Sequence, residues 1–217
     1  IPADTWTYIT ARVREEFPDT VFLLEGLGGL IETTDRLLGE SNLDWAYSEL
    51  FQTYDRGAME HELPRTFARS EVLGPLVHFA ETHDNDRLAA RGKVWARMRV
   101  RLCALLSDRG AWGITAGVEW LATEKIAVHG ASALNQDSPD TLISEIAVLN
   151  HILSVNPAFG PGARLRMVQR GEGNSLAVLR ECTETRLLVL VNLDAEKPQP
   201  VSWDGFDAPE EVWDLLI

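Results

Sequence analysis

Positive charge is scarce in this 217-residue chain: 20 Lys and Arg stand against 33 Asp and Glu, a formal net charge of −13. Affinity for nucleic acid rests largely on Lys and Arg neutralising phosphates, so a polyanion is a poor partner. Long apolar runs are missing too. No stretch of ~18 or more apolar residues occurs, which argues against a membrane-spanning helix and leads us to expect a soluble protein, the cytoplasm being favoured. Cysteine is reduced to Cys103, in a helical pattern, and Cys182, in a strand pattern. Neither has metal-ligand spacing to another Cys or to a His, so both read as small buried hydrophobes. There is no Gly-x-Ser-x-Gly elbow, no P-loop lysine and no dinucleotide fingerprint. Internal repeats and low-complexity segments are also absent. The chain opens at Ile1 with neither Met nor a leader, from which we expect that an upstream segment has been lost.

What the chain does contain is an ordinary globular composition, 45% hydrophobic and 24% charged, and a repeated alternation of helix and strand signals. Trp6, Ile9, Val13 and Phe17 recur at helical spacing over residues 2–17, with Asp4 or Thr5 as N-cap. Residues 20–24 (TVFLL) form a short strand ending on Glu25, and Gly26, Gly28 and Gly29 open a loop. A helix over 31–38 and a strand over 43–47 follow, then a helical or irregular segment over 57–69 containing Pro64. Residues 74–80 (GPLVHFA) form a strand that runs directly into Glu81-Thr82-His83-Asp84-Asn85-Asp86-Arg87. Val94, Met98, Leu102 and Leu105 share the face of a helix ending near Gly110, and residues 111–116 form one more strand. Such alternation predicts a parallel sheet, closed or open, in which strand C-termini carry ligands and chemistry.

Beyond Pro139 the pattern changes. A helix over 141–155, with Ile143, Ile146, Ala147, Leu149 and Leu153 inward, leads to a Pro- and Gly-rich hinge at 156–162. From there the period is two, with strands expected at 165–169, 176–180, 187–193, 201–203 and 212–215 and turn signals between them.

Two strands thus deliver acids at the same end, Glu25 and Asp84, and a His precedes the second. Phe22-Leu23-Leu24-Glu25 resembles the fifth-strand motif of the α-amylase family of glycoside hydrolases. The run from His78 to Asp84 resembles that family's seventh-strand motif, and the run from Ile114 to Glu119 the Gly-x-Glu after its eighth strand. The resemblance covers nearly the whole chain. It implies a partial (β/α)8 barrel, strands five to eight, over residues 1–158, followed by an antiparallel β-sandwich-like domain over 159–217. Glu25 would be the general acid/base, raised by burial or neighbouring negative charge; Asp84 the transition-state-stabilising carboxylate; His83 a sugar contact.

One departure from the family matters: no Gly-x-Arg-x-Asp pattern occurs, so the nucleophilic Asp is missing and is expected on an upstream half of the same polypeptide. Trp45, Tyr47 and Trp120 offer faces on which sugars can stack, although core packing is the commoner use of an aromatic. The implied partner is an α-glucan or maltooligosaccharide, the implied activity hydrolysis or glycosyl transfer. A maltosyl- or glucosyltransferase and a non-catalytic carbohydrate-binding or regulatory module are the alternatives. No cofactor is called for. Calcium serves some relatives, but no compact cluster of oxygen ligands stands out, and His83-Asp84 lacks a second His at metal spacing. Asp86 and Arg87 read as a local ion pair or helix cap, Glu119 as structural, and His61, His129 and His151 as loop, loop and helix-face residues without chemistry.

Overall fold

The computed structural model describes residues 1–183, 185–205 and 214–216. Helix α1 (Ala3–Glu16) begins directly after Pro2, whose extended backbone serves as N-cap without any side-chain cap, so Asp4 lies in the first turn rather than before it. Its fully buried residues are Ala3 and Thr10, while Phe17 is exposed. The apolar spacing found the helix but not its buried face, because Thr10 donates to the Ser41 carbonyl at 2.8 Å and so fixes that side inward.

Strand β1 (Leu23–Leu24), helix α2 (Ile31–Glu40), strand β2 (Trp45–Tyr47) and helix α3 (Arg56–Leu73) follow. Asp55 caps α3, its carboxylate accepting from Ala58 N–H at 2.9 Å, and Pro64 is accommodated inside the helix. Of the two forms expected around Pro64, helical or irregular, the structure shows one long helix, and His61 sits on it rather than in a loop. Strand β3 (Leu76–Phe79), helix α4 (Lys93–Leu105) and strand β4 (Trp112–Gly113) complete the alternation.

The buried face of α4 is Trp95, Arg99, Val100, Leu102 and Cys103, whereas Val94, which the spacing sets on one face with Leu102, is exposed. Arg99 decides this: its guanidinium donates to the carbonyls of Leu50 (2.6 Å) and Thr53 (2.7 Å). Counting apolar residues gives a buried cation no weight.

The four strands stand in chain order, all parallel, with Leu24 beside Ala46, Ala46 beside Leu76 and His78 beside Trp112. Every crossover steps the same way, and right-handed crossovers then put the helices on one face. Ala46 and Leu76 accordingly pack with Leu37, Leu38 and Leu43. Period two sends Trp45, Tyr47, Val77 and Phe79 to the other face. Among the described residues β1 and β4 each pair on one side only.

Helix α5 (Ile143–Val155) buries Leu149 and Ile152, while Ile143 and Ala147, expected inward, are exposed. The glycine- and proline-rich stretch after it is packed rather than free: Ala158 and Phe159 are buried, and the Arg180 guanidinium lies 3.9 Å from the Phe159 ring centroid. Strands β5 (Arg164–Met167), β6 (Gln169–Arg170), β7 (Ser175–Glu181), β8 (Arg186–Asn192) and β9 (Ser202–Trp203) form two antiparallel sheets, β5-β7-β8 and β6-β9. Of the strand expected at 212–215, residues 212 and 213 lie outside the described residues, and 214 and 215 are not in a strand.

Strand β7 is covered on both faces. Leu176 and Val178 join the main core with Met59, Leu63 and Val100, and Ala177 and Leu179 pack with Val168 and Trp203. The main core is thus continuous from the helices of the parallel sheet into the antiparallel one. Cys103 is buried and its thiol is pushed up to about 12 by burial, so it is an inert core residue; Cys182 is only half-buried.

Candidate active site

Glu25 is the first residue beyond β1. Since Leu24 lies beside Ala46, the register sets Glu25 next to Tyr47. The backbone then turns away through Gly26 and Gly28, both at positive φ (59° and 68°), a conformation glycine adopts without the Cβ clash. The glycine cluster thus makes a turn. The Tyr47 ring packs at 4.6 Å on Phe79, and its phenol is pushed up first by burial and then by the Glu25 charge. Trp45 lies one pleat deeper, away from the rim, half-buried.

His83 and Asp84 come from the loop after β3. That loop rests on a buried ion pair that the sequence reading missed: Arg87 Nη1 donates to Glu81 Oε1 at 2.5 Å, and Leu88 N–H donates to Glu81 Oε2 at 2.6 Å. Arg87 Nη2 also donates to the Ala116 carbonyl at 2.7 Å, and the Thr115 hydroxyl donates to the Glu81 carbonyl at 2.9 Å, tying the loop to the segment after β4. Burial raises the Glu81 carboxyl, opposed by the Leu88 N–H and the Arg87 charge.

Gly117, at φ +100°, is required here because a Cβ would sit 2.1 Å from Arg87 Nη2. Arg87 therefore pairs with Glu81 and not with Asp86, whose exposed carboxylate lies 3.8 Å from Lys125. Only the spacing of opposite charges six residues apart around the motif hinted at this. Above the pair, Thr82 donates to Asn85 Oδ1 at 2.6 Å and accepts from Asp84 N–H at 3.3 Å.

The two loops converge. His83 Nε2 is 3.7 Å from Glu25 Oε1 and 3.6 Å from Asp84 Oδ1. One donor atom from each of the three lies within 4.8 Å of the others. The side chains of Glu25, His83 and Asp84 are 51%, 44% and 66% exposed, so the burial that a general-acid Glu25 calls for is not supplied by this chain.

Two carboxylates around an imidazole can grip sugar hydroxyls, transfer a proton or hold a divalent cation. The sequence search for a metal site looked for a second His nearby; the fold brings Glu25 instead. Glu119 accepts from Gly117 N–H at 2.9 Å and so caps its own turn, a structural role as expected. Trp120 lies in the same turn, its carbonyl accepting from the Asn135 amide at 2.8 Å.

No family model and no curated protein matches the chain. Solved structures do. An α-amylase from Lactobacillus plantarum superposes with a TM-score of 0.66 at 18% identity, covering 88% of this chain and 49% of its own. A maltogenic α-amylase from Thermotoga neapolitana gives 0.64 at 12% identity, with 89% and 46% covered. The fold is thus one found in α-amylase structures, and the chain spans about half the length of those it matches.

Proposed function

We propose that this chain is part of an α-glucan-active glycoside hydrolase or transglycosylase of the α-amylase type. Glu25 acts as acid/base, Asp84 and His83 hold the sugar at the scissile bond, and the nucleophilic Asp comes from an upstream segment of the same polypeptide. The observation that carries this reading is the meeting of Glu25, His83 and Asp84 at the C-terminal ends of parallel strands, in a fold shared with α-amylases.

In a retaining mechanism a carboxylate traps the oxocarbenium-like centre while a carboxylic acid protonates the leaving oxygen. Glu25 supplies that proton and later takes one from the attacking hydroxyl. The Asp84 carboxylate opposes the positive charge that develops at the anomeric carbon. His83 donates to a ring hydroxyl, and Tyr47, packed at a tilt against Phe79, offers an aromatic surface beside Glu25.

Strands β1 to β4 then correspond to barrel strands five to eight, within residues 1–158, and residues 159–217 to the β domain that follows. The unpaired outer edges of β1 and β4 support a partial barrel, since raw parallel edges invite pairing with further strands. Closure by those strands would bury Glu25 and give it the desolvation a general acid needs. Hydrolysis and transfer share the glycosyl-enzyme intermediate and differ in whether water or another sugar attacks it.

Product analysis of the full-length protein with maltooligosaccharide, with and without phosphate, tests the reading. Expected are shortened or transglycosylated products from the full-length protein and none from residues 1–217 alone; cleavage by the isolated piece would refute the missing-nucleophile assignment. A non-catalytic carbohydrate-binding module is the second reading, favoured by the 51% exposure of the Glu25 side chain. It predicts oligosaccharide binding without products, and Asn, Ala or Gly in place of the upstream Asp.

A further inference from the structure

Glu25, His83 and Asp84 have a second property besides their fit to a sugar. His83 Nε2 stands 3.7 Å from Glu25 Oε1 and 3.6 Å from Asp84 Oδ1, and one donor atom from each residue lies within 4.8 Å of the other two. A direct hydrogen bond calls for about 2.7–3.2 Å, so the imidazole is bonded to neither acid. Zinc binds His nitrogen and carboxylate oxygen at roughly 2.0–2.2 Å, which sets the ligand atoms of a tetrahedron about 3.3–3.6 Å apart. Both measured separations lie close to that edge.

Charge points the same way. Among the described residues neither Glu25 nor Asp84 pairs with a Lys or an Arg, so two carboxylates flank one imidazole without a fixed positive partner. A divalent cation between them removes that repulsion. The ligands are also held from behind: Glu25 directly follows β1 and the chain turns away at Gly26, while His83 and Asp84 ride on the loop anchored by the buried Glu81–Arg87 pair. Their half-exposed side chains leave the solvent side open for water, as in zinc sites with three protein ligands. The imidazole decides the class of metal. Calcium and magnesium take oxygen donors, whereas imidazole suits zinc and its first-row neighbours.

We propose that Glu25, Nε2 of His83 and Asp84 form a binding site for a divalent first-row transition metal of the zinc type. The site itself does not depend on the glycosidase reading. Its consequence rests on that reading: the metal occupies the groups assigned there to proton transfer and to gripping the sugar, so metal and oligosaccharide exclude one another.

Calorimetric titration of the untagged full-length protein with zinc chloride in a non-coordinating buffer tests it. A saturable site is expected, weakened roughly a hundredfold or more by His83→Ala and about tenfold or more by Glu25→Gln, since losing a group that merely orients a metal ligand already costs about 10–100-fold. The exposed His61 and His151 serve as controls, and His61→Ala and His151→Ala must leave the affinity unchanged. Absence of a saturable site, affinity indifferent to His83→Ala, or an equal loss in His151→Ala overturns the proposal. Zinc binding is read without turnover, so the two readings fail separately. Protein that binds zinc but releases no products from maltooligosaccharide sinks only the glycosidase reading, and protein that releases products without binding zinc sinks only the metal site.

Discussion

Glu25 and Asp84 sit on separate loops, each held by different means. Glu25 is aimed by strand register and a glycine turn, Asp84 by a loop resting on a buried ion pair. On the glycosidase reading proposed above, Glu25→Gln in the full-length protein is expected to lower turnover by several orders of magnitude while oligosaccharide binding persists, because only the proton is removed. Asp84→Asn should be comparably damaging; steady-state kinetics beside calorimetric binding checks both, and near-normal turnover would demote either acid to scaffold.

A third residue makes a prediction about pH. His78 is fully buried, its Nδ1 accepting from the Ser48 hydroxyl at 2.6 Å and its Nε2–H donating to the Leu106 carbonyl at 3.1 Å. Burial, with Arg180 and Arg99 adding repulsion, lowers it to about 4. The unfolded chain titrates this ring near its ordinary ~6.5, so folding with the neutral ring costs nothing above that pH. As pH falls from there toward 4 the unfolded state takes up a proton the folded state refuses, and stability falls by up to about 3 kcal/mol. Denaturant midpoints measured across that window should decline, and less steeply in His78→Gln.

At the scale of elements, the loop after β3 depends on Glu81 and Arg87 together. Glu81→Gln leaves the Arg87 guanidinium buried without its counter-charge, which costs about 3–5 kcal/mol in such pairs. The expected result is a lower melting temperature with loss of turnover in the full-length protein, since His83 and Asp84 ride on that loop; an unchanged melt would show that the pair does not hold it. The edges of β1 and β4 raise a different matter. Both are short, and among the described residues each is paired on one side only.

For the whole molecule, Arg180 is the bolt between the two sheet systems. From β7 it donates to the carbonyls of Leu105 and Ala158 (3.1 Å each) and Ser107 (2.7 Å), closing the end of α4 against the antiparallel sheet. Arg180→Met keeps much of the volume but orphans those buried carbonyls, at about 1–3 kcal/mol for each group left unsatisfied. A single cooperative denaturation shifted to lower denaturant is expected. Loss of the antiparallel part alone, with the parallel part still folded, would show that the continuous core does not couple them.

The sequence by itself determined the order of elements, the change of period near residue 160, and the two acids and histidine that follow strands. These are local properties: apolar spacing, glycine at turns, and charges placed at strand ends. Only the tertiary structure decided which faces are buried and how the loop is braced. Arg99, Arg180, His78 and the Glu81–Arg87 pair are polar groups whose burial is made tolerable by partners far off in the chain, and no periodicity registers a partner that distant. The convergence of Glu25 on His83 and Asp84 belongs to the same class, because it follows from the parallel register of β1, β2 and β3.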